Sequence, residues 1–310
     1  MNNEQSAAAA NMPNGNRINK WLVSGPPLLF LLVFFAAPSL IMFFTSFRFP
    51  GEFGGLAPLS QLPSGADGEY GLTLETYQFF FSDILYFEIL LKSFSVATVT
   101  TIICLILAYP LALLIARSQK RFRNLMIMLV ILPFASNFLI RIYAWMIILG
   151  PESTISHFVN TILGVFGIAP FSLLFSPFAV LIGMVYVHLP FMILPLYTNL
   201  EKHDPVLLDA AQDLGANQWQ RFWRITWPQS LAGIYSGSAL VFIPVLGMFA
   251  VPDILGGTSD ILIGSLIKDQ FLGTRDWPFG ATLSIILTLA VLTVAGLATW
   301  LARPTAKYAS

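Results

Sequence analysis

The side chains able to do chemistry are few and scattered. Of three histidines, His188 stands alone in an apolar run just before Pro190, and His157 and His203 lie far from it in sequence. The single cysteine, Cys104, sits in another apolar run, so no disulfide can form within the chain. An isolated His of this kind reads as a hydrogen-bonded packing residue, and a lone Cys as a small apolar filler. No His, Cys or acid cluster has metal-ligand spacing. There is no glycine-rich phosphate loop, no Gly-x-Ser-x-Gly elbow and no Ser/His/Asp set. Catalysis is not expected, and neither a metal nor another cofactor. What remains is charge and docking surface: Arg141 within the apolar FLIRIYAWM, the acids Glu152, Asp253, Asp269 and Asp276, and the polar stretch from Asp204 to Pro228.

That stretch, DPVLLDAAQDLGANQWQRFWRITWP, carries its own helical pattern. Asp204 is a good N-cap, and Pro205 suits the first helical position, where its missing N–H costs nothing. Leu207, Ala210, Ala211 and Leu214 recur at helical spacing and make a short, small apolar face. Gly215 is the stop, a residue that takes a left-handed turn cheaply. A second short helix is expected from Asn217, with Trp219, Phe222 and Trp223 on one face, Arg221 and Arg224 on the other, and Pro228 as its end. Two short helices joined at a glycine form a knob suited to docking a partner.

The surrounding elements are membrane spans. The 310 residues are 56% hydrophobic and only 10% charged, with a mean hydropathy of +0.74; soluble domains carry roughly a quarter charged residues. Six runs are each long enough to cross a bilayer core of about 30 Å: approximately 21–47, 89–116, 125–149, 177–199, 229–250 and 280–302. The first shows no small-residue cleavage site and is expected to stay as a span. The fold class is thus an all-α polytopic membrane protein. It divides into a polar, disordered tail (1–20), a first span with a long following segment (21–88), a five-span core (89–302) containing the 200–228 loop, and a short tail (303–310). Prolines at 38, 110, 133, 190, 195 and 244 interrupt the spans. They are ordinary kinks or bends around a pathway.

Orientation follows from Lys and Arg. Eleven of the sixteen basic residues lie in four alternate segments: before the first span, in 117–123, in 202–224 and after the last span. Both termini and the 200–228 loop are therefore expected in the cytoplasm. The opposite side carries eleven acids against Arg48, Lys92, Arg141, Lys268 and Arg275. An acidic outer face concentrates cations, or it is simply a well-solvated face. Arg141 is either functional, as membrane arginines tend to be, or an anchor snorkelling outward. Between the spans, 48–88 is long and begins irregularly. Short helices are expected in HFVNTILGVFGI and ILIGSLIKDQFL, with a turn at Gly256-Gly257.

A transporter that couples to ions itself would carry several intramembrane acids or histidines and inverted repeats, and neither is present. Uphill transport would need energy from another subunit. The 204–228 stretch resembles, in that respect, a known joint. Asp209-Ala210-Ala211, three residues, Gly215, nine residues, Ile225, one residue and Trp227-Pro228 is similar to the E-A-A-x3-G-x9-I-x-L-P motif of the membrane subunits of bacterial ABC importers, with Asp for Glu and Trp for Leu. The resemblance covers about 90–300, the type I permease core. The stretches LIRIYAW, PDILGG and RDWPFGA resemble the polyamine (spermidine/putrescine) branch of that family.

The resemblance implies a type I permease fold and a coupling loop that docks into a groove of a cytoplasmic ATPase through Leu207, Asp209, Ala210, Ala211, Leu214, Gly215, Arg221, Ile225 and Pro228. Asp209 would pair with an ATPase arginine or cap locally. It implies a heterodimer with a second related permease, two ATPase subunits, a periplasmic polyamine-binding protein and a Gram-negative inner membrane. ATP hydrolysis would reside in the partner. Asp253, Glu152, Asp269, Asp276 and Arg141 are then candidates for the pathway or the binding-protein contact. Other small solutes (an amino acid, a sugar, a metal complex) and a secondary transporter or channel stand as alternatives.

Overall fold

The computed structural model describes residues 24–60, 71–167, 169–257 and 261–302, with side chains to 297; both predicted tails lie outside these residues. Twelve helical elements follow along the described chain. They are α1 (Ser24–Thr45), α2 (Glu75–Ser82), α3 (Ile84–Arg117), α4 (Lys120–Ile131), α5 (Phe138–Leu149), α6 (Thr154–Val165), α7 (Pro177–Leu200), α8 (Pro205–Asp213), α9 (Gln218–Leu246), α10 (Ala250–Leu255), α11 (Ile263–Leu272) and α12 (Trp277–Ala302). Five of them, α1, α3, α7, α9 and α12, are long and apolar enough to span a membrane. Extended pairing among the described residues is limited to isolated bridges Arg48–Leu72 and Pro50–Leu56.

The third expected span is corrected. It is not one helix over 125–149. A helix from Lys120 tightens into a 3₁₀ turn at Leu132–Ala135, and α5 leaves at 91°. Pro133 lacks the N–H that would continue the ladder. Ser136 turns extended, and Asn137 caps the new helix by accepting from the Leu139 N–H at 2.9 Å. Counted as one broken span, the pair brings the total to six.

α3, α7 and α9 make the most extensive mutual contacts and form the core. The buried seam of α3 runs through Ala97, Thr101, Cys104, Ala108 and Ala112 at helical spacing. Its small side chains let the neighbouring backbones come close. α9 contributes Gly233 and Gly237, where a Cβ would stand 2.8 Å from Asn199 Cβ and from Met192 Sδ of α7. Tyr109 Oη and Ser230 Oγ, 3.0 Å apart, pair α3 with α9; interhelical bonds of this kind average about 0.6 kcal/mol in a bilayer. Cys104 is fully buried, and His188 is buried with Nδ1 2.8 Å from the Met184 carbonyl, both as expected of packing residues. α1 is almost wholly exposed. Its end is tied to the bundle by hydroxyls: Thr76 Oγ1 donates to the Ser46 carbonyl at 3.0 Å, and Thr282 Oγ1 donates to Thr76 Oγ1 at 2.9 Å.

Candidate functional site

The loop between α7 and α9 forms as the sequence pattern requires, up to its last residues. Asp204 Oδ1 accepts from the Val206 N–H at 3.0 Å, capping α8 ahead of Pro205. At the far end Gly215 has φ +82°. The Gly215 N–H reaches the Gln212 carbonyl and the Ala216 N–H reaches the Ala211 carbonyl, both at 2.9 Å. These are the two bonds of a Schellman stop, which satisfies the last carbonyls of α8. Two residues on, Asn217 and Gln220 form a capping box, each side chain accepting from the other's backbone N–H at 2.8 and 3.0 Å. Arg221 Nη1 donates to Gln212 Oε1 at 2.7 Å and bridges the two helices across the turn.

Pro228 does not end the second helix, which corrects the expected boundary. The chain runs helically from Gln218 through Leu246, with a π-bulge at Phe222–Thr226. The reason is Pro228 itself. Its ring excludes the carbonyl of Arg224 from a normal turn, and the Trp227 N–H reaches back to Phe222 instead. The same device appears in α1, where Ala37, before Pro38, bonds Leu32 across the π-bulge Leu32–Ala36.

No residue of α8 is buried. Leu207, Asp209, Ala210 and Leu214 are exposed, Leu214 at 88%, and Ala211 is half-buried. Leu208, on the opposite side, faces a cleft of about 520 Å³ shared with Leu113, Arg117, Asp209, Trp219, Arg221 and Thr226. The apolar face is therefore left open among the described residues while its back rests on the bundle. Ile225 is half-buried within the π-bulge, and Pro228 is exposed. Trp219, Trp223 and Trp227 meet at successive turns, the first pair edge to face and the second tilted, with centroids 5.7 and 5.4 Å apart. Arg123 pairs with Glu201, tying the start of α4 to the end of α7 beside this loop.

At the other end of the bundle the acids are engaged. Lys268 Nζ lies 2.9 Å from Asp253 Oδ2 and 2.6 Å from Asp269 Oδ1. These bonds, first to Asp269 and then to Asp253, hold its ammonium above the ordinary lysine range. Asp276 Oδ1 accepts from the Phe279 N–H at 3.0 Å and caps α12. Glu152 is exposed in the turn after α5 and does not join this group through any ion pair among the described residues. Arg141 also has no acid partner there; its guanidinium carbon lies 5.0 Å from the Phe134 centroid and 6.0 Å from that of Phe138. Sequence reasoning missed the Arg123–Glu201 tie and the role of Lys268. The first joins residues 78 apart in the chain and the second reaches 15 residues back to Asp253; only the basic character of 117–123 and the proximity of Lys268 to Asp269 were available as signals.

A bundle built around small-residue seams, with an exposed two-helix loop between two of its spans, is the architecture of a transport permease. The match to the family described as "Binding-protein-dependent transport system inner membrane component" covers residues 108–306. The chain belongs to that family and is an inner-membrane ABC permease component. It is 47% identical over 209 residues to the spermidine/putrescine transport system permease protein PotB of Escherichia coli (strain K12), covering 67% of this chain and 75% of that one. It is 45% identical over 222 residues to PotB of Haemophilus influenzae, covering 71% and 76%. The molybdenum transport system permease protein ModB of Mycobacterium bovis is 29% identical over 208 residues, covering 67% and 75%. A crystal structure of a bacterial ABC transporter that imports the acidic polysaccharide alginate shares the fold, with a TM-score of 0.65 at 16% identity over 94% of this chain and 98% of that one.

Proposed function

We propose that this permease forms half of the pathway of an ATP-driven importer for spermidine and putrescine. The other half would come from a second, related permease. Two cytoplasmic ATPase subunits would grip the α7–α9 loop of each, and a periplasmic binding protein would deliver the solute to the opposite face. The observation that carries the coupling role is the exposed face of Leu207, Ala210 and Leu214 on a helix rigidly stopped at Gly215. It fits helix-in-groove docking. The substrate reading is supported by the identity to PotB and by acids at the opposite end of the bundle. The cytoplasmic placement of the loop rests on the alternation of Lys and Arg.

In this reading closure of the ATPase dimer draws the two loops together, and the bundle opens outward. Asp253, Asp269, Asp276 and Glu152 face the binding protein or the entering amines; Lys268 limits the free negative charge there by holding Asp253 and Asp269. A second reading, another small solute on the same scaffold, is favoured by that neutralisation and by the molybdenum relative. The test is uptake of labelled spermidine and putrescine into vesicles carrying the complete complex. Uptake dependent on ATP and on the binding protein is expected. Uptake that persists without the ATPase removes the coupling role, and a complex that moves another solute but no polyamine overturns the substrate assignment.

A further inference from the structure

The broken third span leaves a crook between α4 and α5 that the transport reading does not use. None of the residues of α4 is buried. A groove of about 690 Å³ runs beside it, lined by Ile127, Met128, Ile131, Leu132 and Phe134, with Asn124 at its far end. Phe134 is shared between the groove and the cation, because its ring also lies against the Arg141 guanidinium at 5.0 Å. Arg141 Nε is buried and has no hydrogen-bond partner. An apolar groove thus ends at a ring it shares with one planar cation, which rests on Phe134 and Phe138 and forms no ion pair with an acid among the described residues.

We propose that this crook binds a membrane phospholipid, its phosphate on Arg141 and an acyl chain along α4. Depth favours this ligand. The Arg123–Glu201 pair fixes the start of α4 at the end of the bundle that holds the α7–α9 loop. From Lys120 to Ala135 the helical path advances about 24 Å at 1.5 Å per residue. That crosses most of a core of about 30 Å and brings Arg141 beneath the opposite headgroup layer, within reach of a snorkelling side chain. From Asn124 to Ala135 the groove extends about 16 Å across the middle of the core, so an acyl chain descending from the outer headgroups would occupy its outer part. A carboxylate from another protein chain would need to be buried at the same depth, which is costly for its own fold. Phosphates are already present in that layer, and a guanidinium binds them through parallel N–H donors.

The full chain, purified from membranes and stripped in neutral detergent, is titrated with phosphatidylglycerol and read by native mass spectrometry. One lipid is expected to bind ahead of the rest. Its affinity should fall about tenfold in Arg141→Gln, as befits loss of a charge-assisted phosphate contact, and less in Arg141→Lys, which keeps the charge and guards against a folding defect. Met128→Trp, which fills the groove and leaves Arg141 alone, should also displace it. Lys120→Gln, a cation at the other end of α4, should not. Equal binding by the wild type, Arg141→Gln and Met128→Trp overturns the proposal. So does a variant that keeps the lipid but loses association with other subunits in lipid-free detergent, which would make the anion a protein carboxylate.

Discussion

Replacing Gly215 separates two things the α7–α9 loop needs for its proposed coupling role, a left-handed turn and a clear surface. Gly215 sits at φ +82°, and a Cβ built there meets no atom within 4 Å. A side chain therefore fits the isolated chain, and the penalty is one of backbone alone. For alanine in the left-handed region that penalty is about 1–2 kcal/mol. The turn is closed by two hydrogen bonds, to Gln212 and Ala211, each contributing about 1 kcal/mol net. The strain is thus comparable to the whole closing energy. Gly215→Ala should leave α8 mis-set in a sizeable share of molecules, up to about half, a shift of roughly 5- to 30-fold in the local equilibrium. Asn and Asp visit this region far more readily, so Gly215→Asn should hold the turn. If the turn alone matters, ATP-dependent uptake falls most in Ala and least in Asn, with Asp between. If the open space at 215 is filled by a docked partner, Asp and Asn fail at least as badly as Ala, Asp worst. Amide exchange at Ala211–Ala216 reports the turn and vesicle uptake the coupling, at equal membrane abundance. Normal uptake in all three variants would refute the docking role, and unchanged exchange in Ala would refute the strain argument.

Three other perturbations bear on the scaffold. Ser93 is buried and its Oγ accepts from the Ile263 N–H at 2.8 Å; Ser93→Ala orphans that donor, should cost about 1–3 kcal/mol, and should lower the thermal midpoint in detergent with faster exchange in α11. Pro228→Ala permits the normal turn that the proline forbids, so exchange at Phe222–Thr226 should slow while uptake falls. The raised Lys268 value means that its ties are complete below the ordinary lysine pKa of 10.5 and are lost as pH rises through the higher folded value. The exchange rate of α10, relative to a reference helix, should therefore be flat from pH 7 to pH 10 and climb only above that; a climb by pH 9 would show that Lys268 does not hold α10.

How much was legible depended on the range of the interactions. The α7–α9 loop was readable because each signal is local: the Asp204 cap, Pro205 at the first position, Gly215 as the stop and Asn217 at the next start all act within four residues. The helices at Thr154–Val165 and Ile263–Leu272 and the positive φ of Gly257 were legible for the same reason. The right-angle break after Ala135 was not. Pro133 sits in an apolar run like those around Pro110 and Pro190, and those two lie inside unbroken helices. A proline's outcome depends on whether neighbouring helices hold the chain straight. α3 and α7 are gripped in the core, and α4, with nothing buried, is not. The acids misled in a comparable way. Their number suggested an open negative surface, but Lys268 and the α12 cap involve three of them, a fact of tertiary placement.

The unbroken path from Gln218 to Leu246 changes how the loop acts on the bundle. With Pro228 as a boundary, the knob would hang on a joint, and a pull on α8 would be absorbed there. As built, Asn217 starts a helix of 29 residues, about 43 Å long, whose first turns belong to the knob and whose remainder is the core span α9. The π-bulge widens this lever without severing it, since Trp227 still bonds Phe222. Its pivot lies where α9 is most closely held, at Ser230 against Tyr109 and at Gly233 and Gly237 against α7. Close contacts without side chains of their own allow tilting and resist separation. A displacement imposed at Arg221, itself locked to Gln212 of α8, is therefore carried toward Val241 and Val245 along one continuous helix, with the π-bulge and Pro244 as its points of bending. On the proposed coupling role, a pull on α8 is handed through Arg221 and Gln212 to a helix that runs on through the core of the bundle.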